Sequence, residues 1–117
     1  MRWLNPDILA VEEGAMTLRY VVREEMTNPM GQLHGGISAA IIDDAIGCTM
    51  YAYDHPPGYS TVSNYIDYLL PARMGEKIVA RTSIVKKGNR LVNARCEIMD
   101  ESGHKMIAIG VSNLIRN

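Results

Sequence analysis

The chain has 117 residues, enough for one domain, which as a lone monomer buries only about two-thirds of the surface its unfolded form exposes. A net charge of −1 gives no general field to attract nucleic acid, and 47% hydrophobic with 21% charged residues is an ordinary globular composition. No apolar run approaches the roughly 20 residues that span a bilayer, and residues 1–6 do not lead into a signal-type apolar core, so a cytosolic protein without a membrane segment is expected.

In chain order, residues 8–11 and 16–22 are β-like and separated by Glu12-Glu13-Gly14, a hairpin with glycine in its turn. Met16, Leu18, Tyr20 and Val22 alternate onto one face of the second run. The uncharged loop 26–33, marked irregular by Pro29 and Gly31, leads into a helix ending around Tyr53. Ile37, Ile41, Ala45, Cys48 and Ala52 form one helical stripe and Ile42, Ile46, Thr49 and Tyr53 a second, so the helix is expected to be buried over most of its circumference. Asp54-His55-Pro56-Pro57-Gly58 breaks it. Strand-like runs then follow at 61–70, 77–86, 90–99 and 105–114, joined by turns at 71–75, 87–89 and 100–103. The counting predicts an α+β fold in one domain spanning residues 1–117: a short hairpin, one apolar helix, and a long antiparallel meander able to wrap it. No linker, repeat or low-complexity segment interrupts it.

The stretch 28–47 carries the chemistry. From Met26 to Ile42 there is no Asp, Glu, Lys or Arg, so the adjacent Asp43 and Asp44 stand out. At 100° per residue Asp43 shares a face with Gly36, Ala39, Ala40 and Gly47, whereas Asp44 lies near Ile37, Ile41 and Cys48. Asp43 therefore looks out over small residues that leave room for a substrate, as a base or nucleophile requires; a cap or a partner for an arginine is an equally good reading of the spacing. Gly35-Gly36 opens the first turn, where exposed N–H groups and the helix dipole suit a ligand oxygen. Cys48 and Cys96 stand far apart with no metal-type spacing and read as core thiols, and no metal site is expected.

Gly31-x-x-His34-Gly35-Gly36, with Asp43 nine residues after the histidine on a helix, resembles the hotdog-fold acyl-CoA thioesterases of the phenylacetate-degradation (PaaI) type. Asn28, six residues before His34, and Pro71-Ala72 with Gly75 match the same pattern, so the resemblance covers roughly residues 10–114. It implies a hotdog fold, in which a curved antiparallel sheet wraps a long central helix and two subunits join edge to edge, as a homodimer or a homotetramer of two dimers. It further implies hydrolysis of a hydrophobic or aromatic acyl-CoA, with coenzyme A as part of the substrate and no cofactor.

Site residues follow from the resemblance and from their chemistry. Asp43 acts as nucleophile or general base, and the Gly35 N–H as oxyanion donor, facing the acid of the other subunit. Asn28 positions water or the carboxylate, or else serves the turn before Pro29. His34 supports the loop and touches substrate secondarily; Thr61 matches a hydroxyl position of the family, or is ordinary strand threonine. Gly36 lies against the substrate, and Lys87, Gly88 and Arg90 in the turn 86–90 grip the coenzyme A phosphates or are simply solvated. Two other readings remain: a hydratase or dehydratase of the same fold, which wants a His paired with an acid, and a non-catalytic acyl-CoA-binding protein. His55 and His104 are assigned no role.

Overall fold

The computed structural model describes residues 2–54 and 58–117. Six strands, β1 (Asp7–Glu12), β2 (Ala15–Val21), β3 (Tyr59–Tyr68), β4 (Lys77–Lys87), β5 (Leu91–Asp100) and β6 (Met106–Arg116), form one antiparallel sheet around the helix α1 (Gly35–Tyr53). This is the α+β fold expected from the element count, in the hotdog form that the family resemblance implies. The hairpin turns at Gly14, whose φ of +71° lies in the left-handed region that glycine enters without steric cost. Of the breaker 54–58, residues His55, Pro56 and Pro57 lie outside the described residues.

The sheet order is β1-β2-β4-β5-β6-β3, which corrects the simple meander. β3 does not pair with β4, its successor in sequence; it crosses the sheet and pairs with β6 from Tyr59↔Arg116 to Tyr68↔Ala108. The reason lies in the segment 71–75, which is not a hairpin turn. It is held against the loop before the helix, with Leu33 N–H donating to Ala72 O at 2.7 Å, Met74 N–H to Gly31 O at 3.3 Å and Gly75 N–H to Val22 O at 2.7 Å. β3 is thereby left as an edge strand.

The core lies between α1 and the concave face of the sheet. Leu18, Tyr20, Ile78, Ala80, Val92, Cys96, Ile98 and Leu114 are buried there, the alternation of β2 being as expected. They meet Ile41, Ile42, Ala45, Ile46 and Met50 of the helix. β6 approaches so closely at Gly110 that a Cβ there would lie 2.7 Å from Ile42 Cγ2. The expectation of a helix buried nearly all round is corrected: Gly36, Asp43, Gly47, Tyr51 and Ala52 are exposed, because the sheet wraps only the opposite side. No helix among the described residues is long and apolar enough to cross a membrane.

Candidate active site

His34 is the N-cap of α1. Its Nδ1 accepts from the Gly36 N–H at 2.9 Å, so in the neutral ring the proton sits on Nε2. This meets the expected loop-supporting role and corrects one detail of the helix start. The Gly36 N–H is not open to a ligand, and the exposed Gly36 leaves only bare surface there. The Gly35 N–H has no hydrogen-bond partner among the described residues and retains the character of an orphan first-turn donor. Gly35 lines a cavity of about 310 Å³ with Leu33, Ser38, Tyr68, Leu70 and Pro71.

Asn28 is a turn residue first. Its Oδ1 accepts from the Met30 N–H at 3.0 Å and the Gln32 N–H at 3.2 Å, closing the loop by the side-chain mimicry that asparagine favours. Its Nδ2 has no partner among the described residues.

Asp43 is gripped from β3. Thr61 Oγ1–H donates to its Oδ1 at 2.9 Å, and Asn64 Nδ2–H to the same oxygen at 3.3 Å. Ser112 donates in turn to Asn64 Oδ1, which sets the amide so that its nitrogen faces the acid. Asp43 Oδ2 has no partner among the described residues, and the residue is exposed on the open side of the helix. One oxygen is anchored and the other is open. Thr61 and Asn64 are three apart and in a regular strand would face opposite ways; the β-bulge between Thr61 and Ser63 turns both toward the helix.

Asp44 has a different setting. It is half-buried and accepts a long hydrogen bond, 3.4 Å, from the phenol of buried Tyr20. Burial, and then the Asp44 charge, hold the Tyr20 phenol well above its ordinary pKa, so it stays a donor. The two thiols are not poised as nucleophiles: burial pushes Cys96 up to about 12, and burial followed by Asp44 raises Cys48.

The turn between β4 and β5 is partly committed already. Lys87 Nζ lies 3.2 Å from Asp54 Oδ2 and 4.9 Å from the Tyr53 ring centre, and Arg116 pairs with the same carboxylate oxygen at 2.9 Å. The Tyr59 hydroxyl, first, and Lys87 hold Asp54 below its usual pKa. Lys87, Gly88, Asn89 and Arg116 line a cavity of about 460 Å³, while Arg90 is exposed and has no ion-pair partner among the described residues.

Residues 30–107, well over half of the chain, match the Thioesterase superfamily. The chain belongs to that family of thioester hydrolases. It is 38% identical over 93 residues to acyl-coenzyme A thioesterase 13 of Mus musculus, covering 76% of this chain and 64% of the mouse protein. The Homo sapiens thioesterase of that name is 33% identical over 107 residues, 88% of this chain and 74% of the relative. This chain thus spans just under two thirds of the mouse relative's length. Zebra fish thioesterase superfamily member 2 superposes with a TM-score of 0.90 at 25% identity, over 96% of this chain and 81% of that one. A mutant of the phenylacetic acid degradation protein PaaI from Thermus thermophilus gives 0.89 at 25%, over 100% and 97%. A hypothetical thioesterase from Streptococcus pneumoniae, solved with coenzyme A, shares the fold at 0.90 and 17% identity, over 97% and 86%.

Within this thioesterase fold, sequence reasoning missed Asn64 and Ser112 beside the acid. The only signal for them was a polar pair in two β runs, and its meaning depends on the bulge and on the β3–β6 pairing.

Proposed function

We propose that this chain hydrolyses the thioester of a hydrophobic or aromatic acyl-CoA to the free acid and coenzyme A. The carrying observation is a carboxylate with one anchored and one free oxygen on the same helix as an unpaired N–H donor. Asp43 Oδ2 attacks the thioester carbonyl or takes the proton of an attacking water, and the Gly35 N–H receives the developing oxyanion. Water is the only co-reactant, and coenzyme A leaves as the thiol. Asn28 Nδ2, the Nε2–H of His34 and the Thr61 hydroxyl lend orientation, to water, to carbonyl and to Asp43 respectively.

Asp43 lies eight residues beyond Gly35, about 12 Å along the helix axis, too far for both to touch one carbonyl. A homodimer supplies the remedy. β3 is a ten-residue edge strand without lysine or proline, and it exposes Val62, Tyr65 and Tyr68. Antiparallel pairing of two β3 edges continues the sheet and sets the Gly35 end of one subunit against the Asp43 of the other, giving two mixed sites; two such dimers make the homotetramer. Arg90, with Lys87 and Gly88, binds the coenzyme A phosphates, Lys87 sharing its charge with Asp54. Such a protein works in the cytosol on dissolved acyl-CoA.

The test is release of free thiol from acetyl-, octanoyl-, palmitoyl- and phenylacetyl-CoA by the parent and by Asp43→Asn. Hydrolysis of at least one by the parent, and its loss in the variant, is expected. A folded parent inert on all four defeats the reading.

A further inference from the structure

Two cavities flank the middle of α1, and Asp43, Gly47 and Tyr51 line both. The first, about 310 Å³, lies on the β3 side, bounded by Thr61, Tyr59 and Asn117. Tyr59, which bounds it, accepts from Arg116 Nη2 at 3.1 Å, and Arg116 in turn lines the cavity at the cationic turn. The second, about 480 Å³, lies between α1 and the β1–β2 hairpin and is lined by Ile8, Met16, Asp44, Cys48 and Ala52. Apart from the Asp43 and Asp44 carboxylates and the Tyr51 hydroxyl, that lining is apolar or small.

Gly47 is the ridge between them. Apart from proline, glycine is the least favourable residue for a helix interior, yet Gly47 is in the thirteenth position of a 19-residue helix. A Cβ there would meet no atom within 4 Å, so no contact within the chain excludes one. The bare position, one turn beyond the reacting carboxylate, makes sense when something crosses the helix at that point.

We infer that the acyl group crosses α1 over Gly47 and lies in the cavity between α1 and the β1–β2 hairpin, while the pantetheine arm follows the β3 side toward the cationic turn. This rests on the thioesterase reading and adds a substrate class to it. A cavity of about 150 Å³ holds benzene. The groove here, about 480 Å³ and open to solvent along one side, takes a medium-length or arylalkyl acyl chain with Met16, Cys48 and Tyr51 around it. Methionine adapts to chains of different shape, and the exposed Tyr51, which lines both cavities beside the crossing, limits length.

The experiment measures kcat/KM for acetyl-, octanoyl-, palmitoyl- and phenylacetyl-CoA in the parent, Gly47→Leu and Tyr51→Ala, with sedimentation of each. Binding of the non-hydrolysable thioether S-octyl-coenzyme A is compared with that of coenzyme A. The parent should prefer octanoyl- or phenylacetyl-CoA over both acetyl and palmitoyl, and should bind the thioether at least tenfold tighter than coenzyme A. Gly47→Leu should keep the parent's oligomeric state, lower the octanoyl-to-acetyl ratio at least tenfold and remove the thioether's advantage. Tyr51→Ala should move the preference toward palmitoyl. Unchanged preferences in both variants overturn the inference. So does dissociation of Gly47→Leu, which would assign the bare ridge to the partner's helix. A parent that binds the thioether tightly but hydrolyses no thioester overturns the thioesterase reading alone.

Discussion

Replacing Asp43 by asparagine separates chemistry from architecture. The amide oxygen still accepts from Thr61 at 2.9 Å and Asn64 at 3.3 Å, so the anchored side of the residue survives, while basicity and most nucleophilicity are lost. A positioned proton acceptor contributes about 10²–10⁴-fold, which at about 1.36 kcal/mol per decade is about 2.7–5.4 kcal/mol of barrier. The structural loss is far smaller: two hydrogen bonds to a charged acceptor become bonds to a neutral one at an exposed site, about 1 kcal/mol together. Thiol release from the preferred acyl-CoA should therefore fall by two to four decades in kcat, with the melting temperature lowered by a few degrees at most. Asp44→Asn is the control. Its bond from Tyr20 is long, and the residue borders the proposed acyl cavity without a part in the chemistry, so kcat should stay within a few-fold of the parent even where KM moves. A folded Asp43→Asn protein working at near the parent rate, or loss of activity in Asp44→Asn instead, refutes the reasoning.

Arg90→Ala should raise KM for acyl-CoA with little change in kcat, because phosphate contacts far from the carbonyl are alike in ground and transition states; equal loss on a short thioester lacking the nucleotide would show that the turn acts through folding. Gly110→Ala should destabilise by about 1–3 kcal/mol in chemical denaturation, since its methyl would be driven to 2.7 Å from Ile42 Cγ2; an unchanged midpoint would mean that Ile42 moves aside freely. Asp54, whose pKa is lowered first by the Tyr59 hydroxyl and then by Lys87, contributes stability above the unfolded carboxylate value of about 3.9 and loses it as pH falls through the lower folded value. The melting temperature of Asp54→Asn should lie below the parent's at neutral pH and converge with it in acid, and a gap independent of pH would contradict that. Sedimentation should give a dimer or tetramer, and a stable, active monomer would remove the edge-pairing of β3.

The order of elements and the helix bounds were legible because they rest on local signals: the glycine turn at Gly14, the two apolar stripes, and the breaker after Tyr53. The different settings of Asp43 and Asp44 were legible too, from the 100° spacing that sets Asp43 on the exposed face with Gly36 and Gly47. What local pattern could not reach was pairing. Succession along the chain suggested that β3 would turn back onto β4, whereas backbone hydrogen bonds from 71–75 to the loop before the helix carry the chain across the sheet. The bulge at Thr61/Ser63 was hidden for the same reason, since it exists only relative to β6, and with it went Asn64 and Ser112. The open side of the helix was legible around Asp43, where small residues leave room, but not further along at Tyr51 and Ala52, because an apolar stripe reads the same whether or not anything covers it. At the helix start, Gly-Gly signalled exposed donors, but the capping histidine claims one of them.

Gly35 and Asp43 are fixed eight residues apart in one helix, so on the proposed mechanism no loop movement within a subunit can bring both to one carbonyl. On the dimeric reading each chain is half a catalyst twice over, and rate becomes a matter of stoichiometry. Diluted below its dissociation constant, the protein should lose turnover per chain in proportion to the vanishing dimer, without any chain unfolding. Mixed with an excess of Asp43→Asn subunits, a parent chain should still lend its Gly35 to others but find few competent acids in return. One working site should persist in each mixed pair, so activity should track the fraction of parent acids and not its square.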